Sequence, residues 1–171
     1  MNHTAKKRRA KAVLLAAVIL LLGAVVVCNV PWPMEKTCRA LEIRLDDEAY
    51  LAEREVRFAG RYHVNLFSDD MFSGTITVSG YPVTATHTVK VPVRAGDDVF
   101  LYYGQGADAV PFGLLAAGPG LRRAAICVFD EWRGDKNGGA GWSTMDGCAI
   151  VCGAANRDEA LVRLRECRLI S

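Results

Sequence analysis

From Ala12 to Val30 nineteen consecutive residues carry no charge and nearly all are apolar, directly after Lys6, Lys7, Arg8, Arg9 and Lys11. At about 1.5 Å per residue the run makes roughly 28 Å of helix, close to the roughly 30 Å of a bilayer's hydrocarbon core. The pattern predicts a transmembrane helix over residues 12–30. A basic N-terminal flank with no acidic residue places residues 1–11 in the cytoplasm and sends residues 31–171 across the membrane. A cleaved signal peptide is the rival reading, but its apolar stretch is typically about 7–15 residues and ends in an A-x-A-like site, which is absent here. A lipoprotein signal ending at Cys28 calls for a small residue where Val27 stands.

Beyond the run the periodicity changes. Pro31, Trp32 and Pro33 end the helix, and residues 31–40 read as a short linker with an aromatic ring at the headgroup level. Leu41, Ile43 and Leu45 alternate with Glu42 and Arg44 as in a strand, and a helical turn is expected over Asp47–Glu53. Val56, Phe58, Tyr62, Val64 and Leu66 then face one way, against Glu55, Arg57, Arg61, His63 and Asn65. Gly60 falls on the apolar side, a mark of a bend, a bulge or a close neighbour. A second strand puts Phe72, Gly74, Ile76 and Val78 inward and completes a hairpin. Further strands are expected at Val83–Thr86, Val89–Val93, Val99–Tyr103, Phe112–Ala116, Ala124–Trp132 and Cys148–Gly153. Pro92, outward on its strand, predicts a sheet edge. Asn156 and Glu159 form a capping-box pattern before Ala160, Leu161, Leu164 and Cys167, which share one face of an amphipathic C-terminal helix. The fold class is therefore α+β: an N-terminal transmembrane helix, then a mainly antiparallel β-sheet domain over residues 41–171 with one C-terminal helix.

Composition sharpens the partition. Of 21 Lys+Arg five lie in the tail, leaving 16 against 19 Asp+Glu, so the outer part is mildly acidic at −3 although the whole chain is +2. No basic stripe is present, which argues against nucleic-acid binding. Cys28 lies in the apolar run, and Cys38, Cys127, Cys148, Cys152 and Cys167 follow it. Outside the membrane disulfides are permitted, and five cysteines leave at least one unpaired or bonded to another chain. Buried thiols, a cross-strand disulfide such as Cys127–Cys152, and metal binding are the three readings. The C-x3-C spacing of Cys148 and Cys152 departs from common zinc sites, and no metal site is assigned.

Catalytic signatures are absent. No histidine is paired by pattern with a nucleophile, Ser143 lacks a nucleophile-elbow context, and Gly104 and Gly106 do not make a dinucleotide fingerprint. The acidic doublets Asp46/Asp47, Asp69/Asp70 and Asp97/Asp98 suit a calcium site or a glycosidase carboxylate pair. They also fall where strands turn, and turns favour aspartate. Trp132, Trp142, Tyr102 and Tyr103, together with Trp32, are the candidate platform for a sugar or peptide, since aromatic rings supply large rigid contact areas; the competing role is completion of a small β core.

Two groups of segments carry a resemblance. Phe58-Ala59-Gly60-Arg61-Tyr62 leading to Leu66-Phe67-Ser68-Asp69-Asp70-Met71-Phe72-Ser73-Gly74-Thr75-Ile76 is one. Trp142-Ser143-Thr144-Met145-Asp146-Gly147 leading to Asn156-Arg157-Asp158-Glu159-Ala160-Leu161 is the other. In this order they resemble a group of uncharacterised small membrane-anchored proteins of Gram-positive bacteria. The resemblance implies an extracytoplasmic β-rich domain and brings no catalytic residue or cofactor. The expected function is a membrane-anchored extracytoplasmic binding or interaction module of the cell envelope. Its expected contacts are the lipid bilayer through residues 12–30 and an envelope protein or small-molecule ligand. The alternative is an extracytoplasmic hydrolase using turn-loop carboxylates.

Overall fold

The computed structural model describes residues 3–65, 67–94, 96–104, 106, 109–129 and 141–170, without side chains at 3–10 and 27–29. Helix α1 (His3–Asn29) precedes β1 (Trp32–Arg44), β2 (Leu51–His63), β3 (Asp70–Val78), β4 (Val89–Val93), β5 (Asp98–Tyr103), β6 (Val110–Ala117), β7 (Ala124–Val128), β8 (Cys148–Cys152) and α2 (Arg157–Glu166). The strands form one sheet in the order β4-β3-β2-β1-β8-β7-β6-β5, and every pairing is antiparallel. Two four-strand meanders are thus joined through β1 and β8, and the sheet's free edges are β4 and β5. The sheet curls into an incompletely closed barrel: one buried cluster draws side chains from all eight strands. Across the gap, the Tyr103 hydroxyl of β5 donates to the Ile76 carbonyl of β3 at 2.5 Å.

Alternation explains which side chains fill the barrel. Val56, Phe58 and Tyr62 of β2 and Phe72, Ile76 and Val78 of β3 point inward and are buried. Tyr103 and Tyr81 meet Phe112 edge-on, with ring centroids 5.5 and 5.2 Å apart, so this part of the interior is a packed core. Gly60 and Gly74 face each other in the register, and a Cβ on either would collide with the other strand's backbone. Of the readings that Gly60 suggests, close approach by a neighbour is the one found.

The all-buried strands β7 (AAICV) and β8 (CAIVC) lack alternation because both faces are covered. Their inner residues join the barrel core, and their outer residues, with Leu41 and Ile43 of β1, pack beneath Ala160, Leu164 and Leu169 of the α2 segment. Asn156 caps α2 by accepting from Glu159 N at 2.9 Å, and Glu159 reaches back to Ala155 N at 2.9 Å, a variant of the expected capping box. Edge strand β4 carries Pro92, as its outward position predicted.

Several expectations need correction. Strand β1 begins at Trp32, so most of the expected linker 31–40 is strand; Trp32 pairs with Tyr62, and the interior-facing Lys36 disguised the alternation. The helical turn over Asp47–Glu53 is a tight turn, with Asp47 Oδ1 accepting from Ala49 N at 3.0 Å, and β2 starts at Leu51. The segment expected as a strand at Val83–Thr86 contains a 3-10 turn over Pro82–Ala85. Thr84 Oγ1, fully buried, holds that turn by accepting from Val78 N at 2.8 Å and donating to Tyr81 O at 2.7 Å. Among the described residues no helix is long and apolar enough to cross a membrane. The fold thus bears out the antiparallel sheet and the C-terminal helix of the expected class but does not show the transmembrane span expected over residues 12–30.

Candidate functional site

The barrel's two ends differ in chemistry. At the end where β1 begins and β2 finishes, the connection between β6 and β7 folds over the mouth. Its Leu121, at φ +52, drops into the core and is 1% exposed. Tyr62 holds this connection in place: its hydroxyl donates to Asp70 Oδ2 at 2.7 Å and accepts from Gly120 N at 2.8 Å. Burial, then the bond to Asp70, push the Tyr62 hydroxyl up to about 12. Lys36, pointing toward the interior from β1, donates to the Leu121 carbonyl. Burial, and then the Arg122 charge, hold its ammonium below the usual lysine value.

Outside this closure lies a groove of about 900 Å³. Trp32, Pro33 and Met34 form one wall with Val64, and Pro119 and Arg122 stand on the connection. The groove continues past Ala116 and Ala117 to Glu166 and Cys167 at the end of α2. Its size is near the top of the roughly 300–1,000 Å³ range of small-molecule sites, and its lining joins apolar side chains to a few charges. Two of those charges are engaged with each other, Arg123 and Glu166 at 3.1 Å. Asp70 accepts from Tyr62 and, at 3.0 Å, from Asn65 N. Among the described residues Arg122 has no ion-pair partner.

The opposite end holds a buried polar cluster. Glu42, 3% exposed, accepts from Arg54 Nε at 2.5 Å and from the Tyr50 hydroxyl at 2.7 Å. Burial alone raises a carboxyl's pKa, but the bonds from Arg54 and Tyr50 and the Arg54 charge outweigh it, so Glu42 lies below its ordinary value. The Arg44 guanidinium lies 4.4 Å from the Tyr50 ring centroid. This arrangement satisfies a buried ion pair and locks the β1–β2 turn.

Among the described residues the expected aromatic platform is not assembled. Tyr103 is fully buried while Tyr102, one residue away on the opposite face, is 47% exposed and stacks on Phe100 with centroids 5.9 Å apart. Trp142 is half-buried against the outer core and donates to the Cys148 carbonyl at 2.9 Å. Trp132 lies outside the described residues. The cysteine pairing is also corrected: Cys152 bonds Cys38, with Cα atoms 5.8 Å apart, while Cys127 is free and buried. Cys127 sits opposite Ala149 in the register, on the outer face of the sheet, whereas Cys148 and Cys152 face inward. Period two therefore separates Cys127 from Cys152. Among the described residues no group of His, Cys, Asp and Glu is placed to hold a metal. The acidic doublets serve turns and surface pairs: Asp69 and Asp97 flank Arg94 at 3.6 and 3.1 Å.

The groove itself was missed at the level of sequence. Trp32 falls in the segment expected as a linker, and nothing local sets it opposite the connection between β6 and β7; the adjacent Arg122–Arg123 pair is the available signal. Fold and site together define an antiparallel, nearly closed β-barrel with an outer helix and a groove at one mouth. No family model matches the chain, and neither a curated protein nor a solved structure matches it. The resemblance to the Gram-positive group rests on the quoted segments alone.

Proposed function

We propose that the chain is a membrane-anchored, extracytoplasmic binding module of the cell envelope, with the mouth groove as its binding site. The carrying observation is that groove, built at the end of the barrel where β1 leaves the apolar helix. Support for the anchor comes from α1: Leu14, Leu15, Leu20 and Val26 are each more than 60% exposed and point in different directions, so no single apolar face seeks a protein core. The disulfide Cys38–Cys152 suits an oxidising compartment outside the cytoplasm. Residues 1–11 then form a cytoplasmic tail and residues 31–171 face outward.

The test combines labelling and mass measurement on intact cells. Met145 is 85% exposed, and M145C gives an accessible thiol on the sheet domain. A membrane-impermeant maleimide is expected to label that variant from outside, and the mature chain is expected to retain residues 1–30. Labelling only after lysis, or a mature mass lacking the N-terminal segment, overturns the anchored topology.

A further inference from the structure

Only Val30 and Pro31 separate the end of α1 from Trp32. Three Cα steps span at most about 11 Å, so Trp32 cannot leave the neighbourhood of the helix end. Once α1 is seated in a bilayer, as the function proposed above requires, Trp32 and the groove wall it forms lie at the depth of the lipid headgroups. That position is the one tryptophan favours at membrane interfaces.

The groove's charges point the same way. Glu166 neutralises Arg123, and the Asp70 carboxylate is turned into the Tyr62 and Asn65 bonds. What faces the groove without an acidic partner among the described residues is Arg122, with Lys36 close behind on the interior side. A planar guanidinium beside Trp32, Pro33, Met34 and Val64 offers a phosphate its favoured partner and offers acyl chains an apolar wall.

We infer that the groove takes an anionic phospholipid from the leaflet in which α1 ends, with the phosphate at Arg122 and the acyl chains along Trp32, Met34 and Val64. The inference rests on the anchored reading, and it makes the bilayer the source of the ligand as well as the anchorage. Lipid entering here meets the closed β6–β7 connection, whose Leu121 bars the way to the barrel core.

The full chain is reconstituted in nanodiscs containing either phosphatidylglycerol or phosphatidylcholine with a photoactivatable acyl chain, and the adducts are mapped by peptide. The phosphatidylglycerol probe is expected to label residues 32–34 and 118–123 as well as α1, several-fold more than the phosphatidylcholine probe does at those segments. Arg122→Gln, an exposed change expected to leave the fold intact by circular dichroism, should remove most of that preference, and Arg122→Lys should recover part of it. Adducts confined to α1, equal labelling by the two lipids, or an unchanged preference in Arg122→Gln overturns the lipid assignment while leaving the anchor standing. Absence of adducts on α1 as well overturns the anchored reading itself.

Discussion

Tyr62→Phe tests how the barrel mouth is closed. The substitution keeps the ring, which is 6% exposed in the core, and removes one oxygen that serves two partners. Asp70 loses its 2.7 Å donor but keeps Asn65 N, whereas the Gly120 amide loses its 2.8 Å acceptor. At about 0.5–1.5 kcal/mol net for each hydrogen bond, the loss is about 1–3 kcal/mol. For a domain of this size that is a fall in Tm of about 3–9 °C, read by near-ultraviolet circular dichroism on the full chain in mild detergent. The effect is also local: exchange of the Gly120 amide should accelerate about tenfold for each 1.4 kcal/mol lost, with the β2–β3 ladder amides little changed. The wild-type hydroxyl supplies a pH signature. Its folded pKa of about 12 lies above the ordinary value of 10.0, so its contribution is complete below about pH 10 and disappears as pH rises through 12. Absorbance at alkaline pH should show one fewer late-titrating tyrosine in the variant. An unchanged Tm together with unchanged Gly120 exchange would refute the reasoning, because the hydroxyl would then not be holding the connection.

Other perturbations address the rest of the framework. Glu42→Ala leaves Arg54 facing Tyr50 and Tyr81 without its carboxylate and should cost about 3 kcal/mol in denaturant unfolding at neutral pH. In the wild type the Glu42 contribution is present above its unfolded pKa of about 4.5 and is lost as pH falls through its lower folded value, so the difference between wild type and variant should shrink in acid. Cys38→Ser opens a cross-link spanning 114 residues, for which chain entropy predicts a loss of about 4–5 kcal/mol; peptide mapping of the wild type should recover Cys38 joined to Cys152 and no Cys127–Cys152 peptide. Gly60→Ala drives a methyl into the Ser73–Gly74 backbone and should destabilise by about 1–3 kcal/mol, whereas Gly141→Ala, with open space around it, should have a much smaller effect on unfolding.

Legibility in the sequence followed burial. Strands β2 and β3 were plain because one face meets water, so polar and apolar residues must alternate. The first half of β1 was hidden because Lys36 occupies an inward position, with its ammonium satisfied by a carbonyl from a loop 85 residues away. Cys127 and Cys152 looked like a cross-strand pair until the register set them on opposite faces. The aromatic platform failed for the same reason at Tyr102 and Tyr103, neighbours in sequence that period two sends apart.

By itself the sequence determined the apolar N-terminal helix, the antiparallel hairpins, the edge position of Pro92 and the capped terminal helix. Each depends on spacings of a few residues, over which backbone geometry dictates where side chains point. Only the tertiary structure decided that β1 and β8 join the two meanders, that Cys38 meets Cys152, and that a groove opens beside Trp32. Those features bring together residues tens to more than a hundred positions apart, and their contacts depend on the curl and register of the whole sheet rather than on any local period.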